Sequence, residues 1–416
     1  MRLCPSCFDD RSLQRLIAAI RRDAPNEKCS FHGNLKGVEI REVGRLVSEV
    51  VQSNFDPGPY DDESDDFWQP GVEGRGLEEI LQDITKSVSR EVDRTLAEEL
   101  VREERYWLDD DEYSFFSLGD TYVPTSAENF GHSALWKDFR RSVQHEQRFF
   151  NSSAKEAIAK IFDAVHLQKD SLGNPSVYKI SPGESMSRFF RCRIANDPRV
   201  QTDIAKDPDK QLGPPPDRLR RPGRMNPAGI AALYGAYTME TCIAELRPPV
   251  GSTIAGAQFE FTRPTWVLDT TRFQRPGRQL SYFAAEHRKR SEQWTFMQRF
   301  RHEISQPVLP DDEYLDYIPT QAVAEYLCNH HEFPVRGGRG KIEAIIFNSA
   351  QSPENGRNIV LVGPSADPSA KQRPSTSFED LFDTASVPKP AVRIVQGSVE
   401  FRVVRSSSIE TTPADI

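Results

Sequence analysis

The sequence predicts an α+β protein, with a mainly helical N-terminal domain followed by a domain built on a sheet. Three observations carry this expectation. Apolar residues recur at three- and four-residue spacing through residues 1–170. From residue 176 onward, short β-branched and aromatic runs alternate with helical stretches. The chain of 416 residues is also longer than one ordinary domain. The expected division is 1–170 helical, 176–363 mixed, and 364–416 a disordered segment ending in a hairpin.

In the first region, helices are expected at Leu13–Arg22, Gly44–Ser53, Leu77–Val101, Leu135–Phe150 and Ala154–Leu167. Asp56–Gly76 is acidic and turn-rich, and Asp170–Asn174 marks a second break. Beyond it, Ser187–Ile194 has strand character. Asp197–Pro222 holds six prolines and many charges, which predicts an exposed loop. Strands are expected at Ile230–Tyr234, Ala255–Phe261, Thr265–Asp269, Ile342–Phe347 and Asn358–Gly363. A turn at Ser352–Gly356 joins the last two. Thr238 is placed to cap a helix reaching Leu246, which Pro248 and Pro249 stop. An insertion, Arg272–Asp316, carries a helix at Ser281–Glu303. Pro319–His331 is expected as a helix with Thr320 as its N-cap. Gly363–Ser386 is expected to be disordered, and Ala391–Gln396 with Val399–Arg405 to form a hairpin.

Composition narrows the function. A net charge of −9 argues against general affinity for nucleic acid backbone. No run approaches the roughly 18 apolar residues needed to span a bilayer. The N-terminus lacks the apolar stretch of a secretory signal. A cytoplasmic protein with reduced or metal-bound cysteines is the expectation.

Cys4-Pro-Ser-Cys7 and Cys29-Ser-Phe-His32 form two ligand pairs. Each pair makes a knuckle presenting two donors to one ion, which suits tetrahedral Zn²⁺. All four ligands come from protein, so the expected role is structural.

The segment Gly223–Pro248 brings a loop arginine, a strand tyrosine and a helix glutamate toward one sheet edge. Around it lie Phe190-Arg191-Cys-Arg193, Leu-Tyr-Gly-Ala, Ile-Ala-Glu-Leu-Arg-Pro, Tyr317-Ile-Pro-Thr-Gln321, Phe347-Asn-Ser-Ala350 and Gly356-Arg-Asn358. In this order, over Ser187 to about Gly363, they resemble the RES domain family. The N-terminal region resembles the zinc-bearing HEPN/RES helical domain that precedes RES in longer members. The resemblance implies an ADP-ribosyltransferase-like fold and a toxin that cleaves the nicotinamide–ribose bond of NAD⁺. Water or phosphate would be the acceptor, and a partner antitoxin would hold the enzyme in check.

The residues suit that chemistry. A pyrophosphate calls for arginine, first Arg224, then Arg191 and Arg193. The two strand arginines lie two residues apart, so both would reach the cleft or neither. Glu245 would stabilise the oxocarbenium-like ribose, as carboxylates do in glycoside cleavage. Tyr234 would stack on the nicotinamide. Ser349 would bind a phosphate or the incoming nucleophile, and no Gly-x-Ser-x-Gly elbow surrounds it. Tyr237 and Gln321 are weaker candidates. Without a Rossmann or Walker fingerprint, NAD⁺ is a substrate and not a redox cofactor. Competing readings are transfer of ADP-ribose to a protein target, a HEPN-type ribonuclease using Arg140 and His145, and a non-catalytic NAD-binding sensor.

Overall fold

The computed structural model describes residues 1–58, 74–107, 114–125, 131–309, 311–352, 356–366 and 390–406. Most of the expected loop at 56–76, most of the expected disordered segment at 363–386 and the middle of the Ser352–Gly356 turn lie outside them. The fold is mixed α+β and forms two compact units. One comprises residues 1–130 and 279–292, the other 131–278 and 293–416. No helix among the described residues is long and apolar enough to cross a membrane.

The first unit is built on the helices Arg11–Asp23, Ile40–Asn54, Leu77–Thr85 and Arg90–Trp107. Asp10 starts the first helix by accepting the amides of Ser12 and Leu13 at 3.0 and 2.9 Å. Leu13 and Ile17 then face a core shared with Val43, Val47, Ile80, Leu81 and Leu96. The single helix expected over Leu77–Val101 is two helices. Lys86 adopts a left-handed conformation (φ 51°) and closes the first; the Ser89 hydroxyl accepts from the Val92 amide at the start of the second.

The second unit holds a nine-stranded sheet: β1 (Val177–Ile180), β2 (Arg188–Ile194), β3 (Ala232–Ala236), β4 (Thr253–Phe261), β5 (Thr265–Asp269), β6 (Ala344–Asn348), β7 (Arg357–Val362), β8 (Val392–Ile394) and β9 (Glu400–Val403). The order is β8-β4-β2-β3-β7-β6-β5-β1, with β9 also on β4. Among the described residues, only β5 and β6 run parallel. The two C-terminal strands do not pair as the expected hairpin. Both join one edge of β4, at Phe259–Phe261 and Thr253–Gly256 respectively.

Alternation along the strands divides the interior in two. One face, with Leu268, Ile345, Phe347, Val360 and Val362, packs under helices Gly131–Arg141, Ser152–Phe162 and Ile318–Asn329 and the Gln293–Ser305 part of His287–Ser305. Trp136, Phe139, Ile158, Ile161 and Phe162 belong to this core. The helices expected with the N-terminal domain at 131–167 therefore pack on the sheet of the second unit. The other face, with Phe189, Leu233, Phe259, Ile346 and Ile359, is covered in part by the segment expected as an exposed loop. That segment contains helices Pro198–Lys206 and Pro208–Leu212, and buries Ile204 and Leu212 against the sheet. Val200, half-buried, packs against the same core.

Candidate functional site

In the first unit, the turn Pro5–Cys7 and the loop at Cys29–His32 bring four donors together, all within 4.8 Å of one another. Cys4 and Cys7 sulfurs are 3.9 Å apart and Cys7 and Cys29 sulfurs 3.5 Å. His32 Nδ1 lies 3.5 Å from Cys4 and Cys7 and 3.8 Å from Cys29. A zinc tetrahedron with about 2.3 Å Zn–S and 2.0 Å Zn–N bonds has edges of about 3.5–3.8 Å. The donors fit a metal. Burial pushes the Cys4 and Cys7 thiols up. At Cys29 burial acts the same way, but the Phe31 and His32 amides and the His32 ring outweigh it and bring the thiol down to about 7. Three mutually close thiols, two of them resisting ionisation, are a poor arrangement without a cation to share.

In the second unit, a cavity of about 500 Å³ opens on the sheet face that carries Tyr234, Phe347 and Asn358. Its position follows from a weakness in the sheet: β2 and β3 pair at one position, Phe190 with Ala236. Gly235 makes their close approach possible there. A Cβ at that position would lie 2.5 Å from the Phe189 ring and 2.7 Å from the Phe190 carbonyl. Arg191 fills the adjoining space, donating to the Tyr234 carbonyl at 3.1 Å and the Gly213 carbonyl at 3.5 Å. Burial lowers its pKa to about 10, so it stays cationic at neutral pH. Arg193 lies on the same side of the strand but does not line the cavity. It is exposed and donates to Gln211. The expectation that both arginines reach the cleft or neither does therefore fails. A shared strand face fixes direction, and the gap beside β3 lies next to Arg191 alone.

Glu245 ends the helix Met239–Glu245, which Thr238 caps through the Thr241 amide. One carboxylate oxygen, Oε1, accepts from Ser349 Oγ at 2.5 Å and Asn358 Nδ2 at 2.7 Å. Oε2 makes no hydrogen bond among the described residues. Ser349 Oγ also accepts the amides of Gln351 and Ser352, each at 3.1 Å. With one proton and two lone pairs, that hydroxyl is fully engaged. It therefore orients Glu245, and has no capacity left for a phosphate.

Gly223-Arg224 is held from three sides. Thr320 Oγ1 donates to the Arg224 carbonyl at 2.6 Å, and Gln321 Nε2 to the Gly223 carbonyl at 2.8 Å. Thr320 is thus not the N-cap of helix Ile318–Asn329, whose N-terminus has no side-chain cap. Its hydroxyl reaches the neighbouring loop. The Tyr234 hydroxyl accepts from the Met225 amide at 2.9 Å and donates to Asn226 Oδ1 at 2.8 Å. The Tyr234 ring lines the cavity, while burial pushes its phenol well above the usual range. Gly223 is required by this packing, since a Cβ would meet the Tyr234 hydroxyl at 2.8 Å. The Arg224 guanidinium lies 4.9 Å from the Tyr317 ring centre and donates to the Gln306 carbonyl.

The cavity therefore gathers Arg191, Arg224, Tyr234 and Glu245, with Ser349 behind Glu245. It does not gather Arg193, Tyr237, Thr320 or Gln321. The Tyr237 hydroxyl is buried without a hydrogen-bond partner among the described residues, and Arg357 lies over its ring. Arg140 pairs with Glu303 at 3.1 Å, and His145 is exposed in the π-helical turn Ser142–Glu146. Sequence reasoning gave no role to Asn358, Arg247, Glu313 or Tyr317, all of which line the cavity. Arg247 had a signal, since it follows Glu245 in the Glu-Leu-Arg-Pro block. Glu313 had none.

Residues 193–380 match the RES domain family model, a span that contains Arg224, Glu245, Ser349 and Asn358. No curated protein and no solved structure matched the chain in the corresponding searches.

Proposed function

We propose that the second unit cleaves the nicotinamide–ribose bond of NAD⁺. One observation carries the reading. Arg191, Arg224 and Arg247 all line one cavity, and none pairs with a carboxylate among the described residues. Set against the two lining carboxylates, Glu245 and Glu313, the three guanidiniums leave the cavity cationic, so it suits a ligand bearing negative charge. Glu245 faces the same space with one oxygen anchored and the other free. The RES match lends the family's association with NAD-processing toxins.

In this reading the arginines hold the pyrophosphate, chiefly Arg224 on its braced loop. The C1′–N bond breaks, and its electron pair passes to the pyridinium nitrogen, so nicotinamide leaves neutral. Glu245 stabilises the positive charge left on the ribose. Water or phosphate then adds at C1′ and releases one proton. Tyr234 positions the ring and the Arg224 loop together. The Cys4, Cys7, Cys29 and His32 cluster holds a structural Zn²⁺ in the first unit, and an inhibitory protein partner belongs to the same proposal.

Nicotinamide release from NAD⁺, with and without phosphate, tests the reading. Wild-type protein should release it, and Glu245→Gln should lower kcat by about 10²-fold or more, the scale of losing a transition-state electrostatic group. NAD⁺ binding without release from wild-type protein would reduce the site to a sensor.

A further inference from the structure

We infer that Glu313 selects NAD⁺ over NADP⁺, by accepting the adenosine ribose hydroxyls and repelling a 2′-phosphate. The inference rests on the NAD⁺-cleaving reading of the cavity and extends it to the far end of the ligand.

The contacts set an order. Glu245, with Ser349 and Asn358, marks the scissile end. Arg224 marks the pyrophosphate and lies over Tyr317 at 4.9 Å. The Tyr317 hydroxyl in turn donates to Glu313 Oε1 at 3.1 Å. In the dinucleotide, the adenosine ribose follows the pyrophosphate on the side away from nicotinamide. A ligand laid from Glu245 across Arg224 therefore brings its second ribose to Tyr317 and Glu313. Glu313 lines the cavity, is half-buried, and forms no ion pair among the described residues. Its carboxylate is thus not committed to a neighbouring cation, although Arg224 and Arg247 line the same cavity.

A carboxylate at a ribose accepts from the 2′-hydroxyl and rejects a phosphate there, whereas arginine accommodates the phosphate. Both elements line this cavity, and Arg247 acts electrostatically on Tyr317. Arg247 would attract a 2′-phosphate as well as the pyrophosphate, and Glu313 opposes the former. Removing the Glu313 charge should therefore do more than abolish a preference; it should expose the arginine.

Calorimetric titration with ADP-ribose and with 2′-phospho-ADP-ribose tests this without turnover. Wild-type protein should prefer ADP-ribose by about 30-fold or more, as like-charge juxtaposition costs on this scale. Glu313→Gln should bring the two affinities within about threefold, and Glu313→Asp should keep the preference. Adding Arg247→Ala to Glu313→Gln should weaken 2′-phospho-ADP-ribose more than ADP-ribose. The same ratio in wild-type and Glu313→Gln, no preference in wild-type, or binding of neither ligand overturns the inference. Nicotinamide release from NAD⁺ and NADP⁺ separates the two readings. Release with an unchanged ratio defeats the Glu313 assignment alone. A shifted binding ratio without release defeats the reaction and leaves the assignment standing.

Discussion

Ser349→Ala should lower kcat for nicotinamide release while leaving KM for NAD⁺ nearly unchanged. The Ser349 hydroxyl makes three hydrogen bonds, one to Glu245 Oε1 at 2.5 Å and two from the backbone of its own turn. The bond to the carboxylate is charge-assisted and contributes about 1.5–3 kcal/mol. Glu245 keeps one anchor, Asn358 at 2.7 Å, so the carboxylate is loosened and not released. That loss corresponds to about 10- to 10²-fold in kcat, because each 1.4 kcal/mol is a factor of ten. The amides of the half-buried Gln351 and Ser352 also lose their acceptor, so some loss of stability accompanies the kinetic effect. Ser349→Thr keeps the hydroxyl and should recover most of the rate.

The decisive assay is a double-mutant cycle with Glu245→Gln. If Ser349 acts only through Glu245, Ser349→Ala should cost little more once the carboxylate is gone, and the two losses will be strongly non-additive. If Ser349 meets the substrate itself, the losses will multiply. Multiplication, or a rise in KM with kcat preserved, would refute the positioning role and restore the direct phosphate contact expected from sequence.

Three further outcomes follow from other parts of the molecule. Zinc analysis should find one ion per chain; chelation, or Cys29→Ser, should lower the helical content and melting temperature of the first unit, and an unchanged melt would count against a structural metal. His331 is 4% exposed, and its pKa is pushed down to about 4 by burial and then by the His166 ring. The folded state therefore keeps it neutral: its contribution is complete above pH 6.5 and falls by up to about 3 kcal/mol as pH drops toward 4, so urea unfolding should show a steeper acid loss in wild-type than in His331→Phe. Arg247 sits in the left-handed region at φ 45°, so Arg247→Gly should raise stability by about 1 kcal/mol yet reduce kcat/KM for NAD⁺ by about tenfold, a split that a melt and a rate measurement resolve together.

The elements were legible where chemistry dictated spacing. Two ligand pairs must recur near one ion, so the Cys3His cluster stood out before any fold was known. Strands buried on both faces read as apolar runs, and β4 to β7 were found within two or three residues. The segment 197–222 was misread because charge and proline outweighed a local signal. Asp197-Pro198 and Asp207-Pro208 are each an N-cap followed by proline in the first turn, a helix start written twice. The C-terminal strands were found but not their partner. Alternation specifies which face a strand buries, and says nothing of whether it pairs with its neighbour in sequence or with an open edge such as that of β4.

The site shows a different limit. Order and residue type single out Arg224, Tyr234, Glu245 and Ser349, which lie in or against one cavity, but do not assign them roles, because roles depend on which hydrogen-bonding capacity remains free. Ser349 has none left once Glu245 and two amides are served. The Tyr234 hydroxyl is likewise taken by the loop that carries Arg224. Thr320 and Gln321, four to five residues into a different motif, turn out to hold the two carbonyls beside that arginine. The separate motifs are thus parts of one mechanical assembly. The Tyr317–Gln321 segment and Tyr234 fix the arginine loop, the Ser349 turn and Asn358 fix the carboxylate, and the single pairing of β2 with β3 leaves the space between them. A substitution in any brace should therefore act on an arginine or on Glu245 at a distance. This is why motif position alone does not distinguish residues that line the cavity from residues that hold the ones that do.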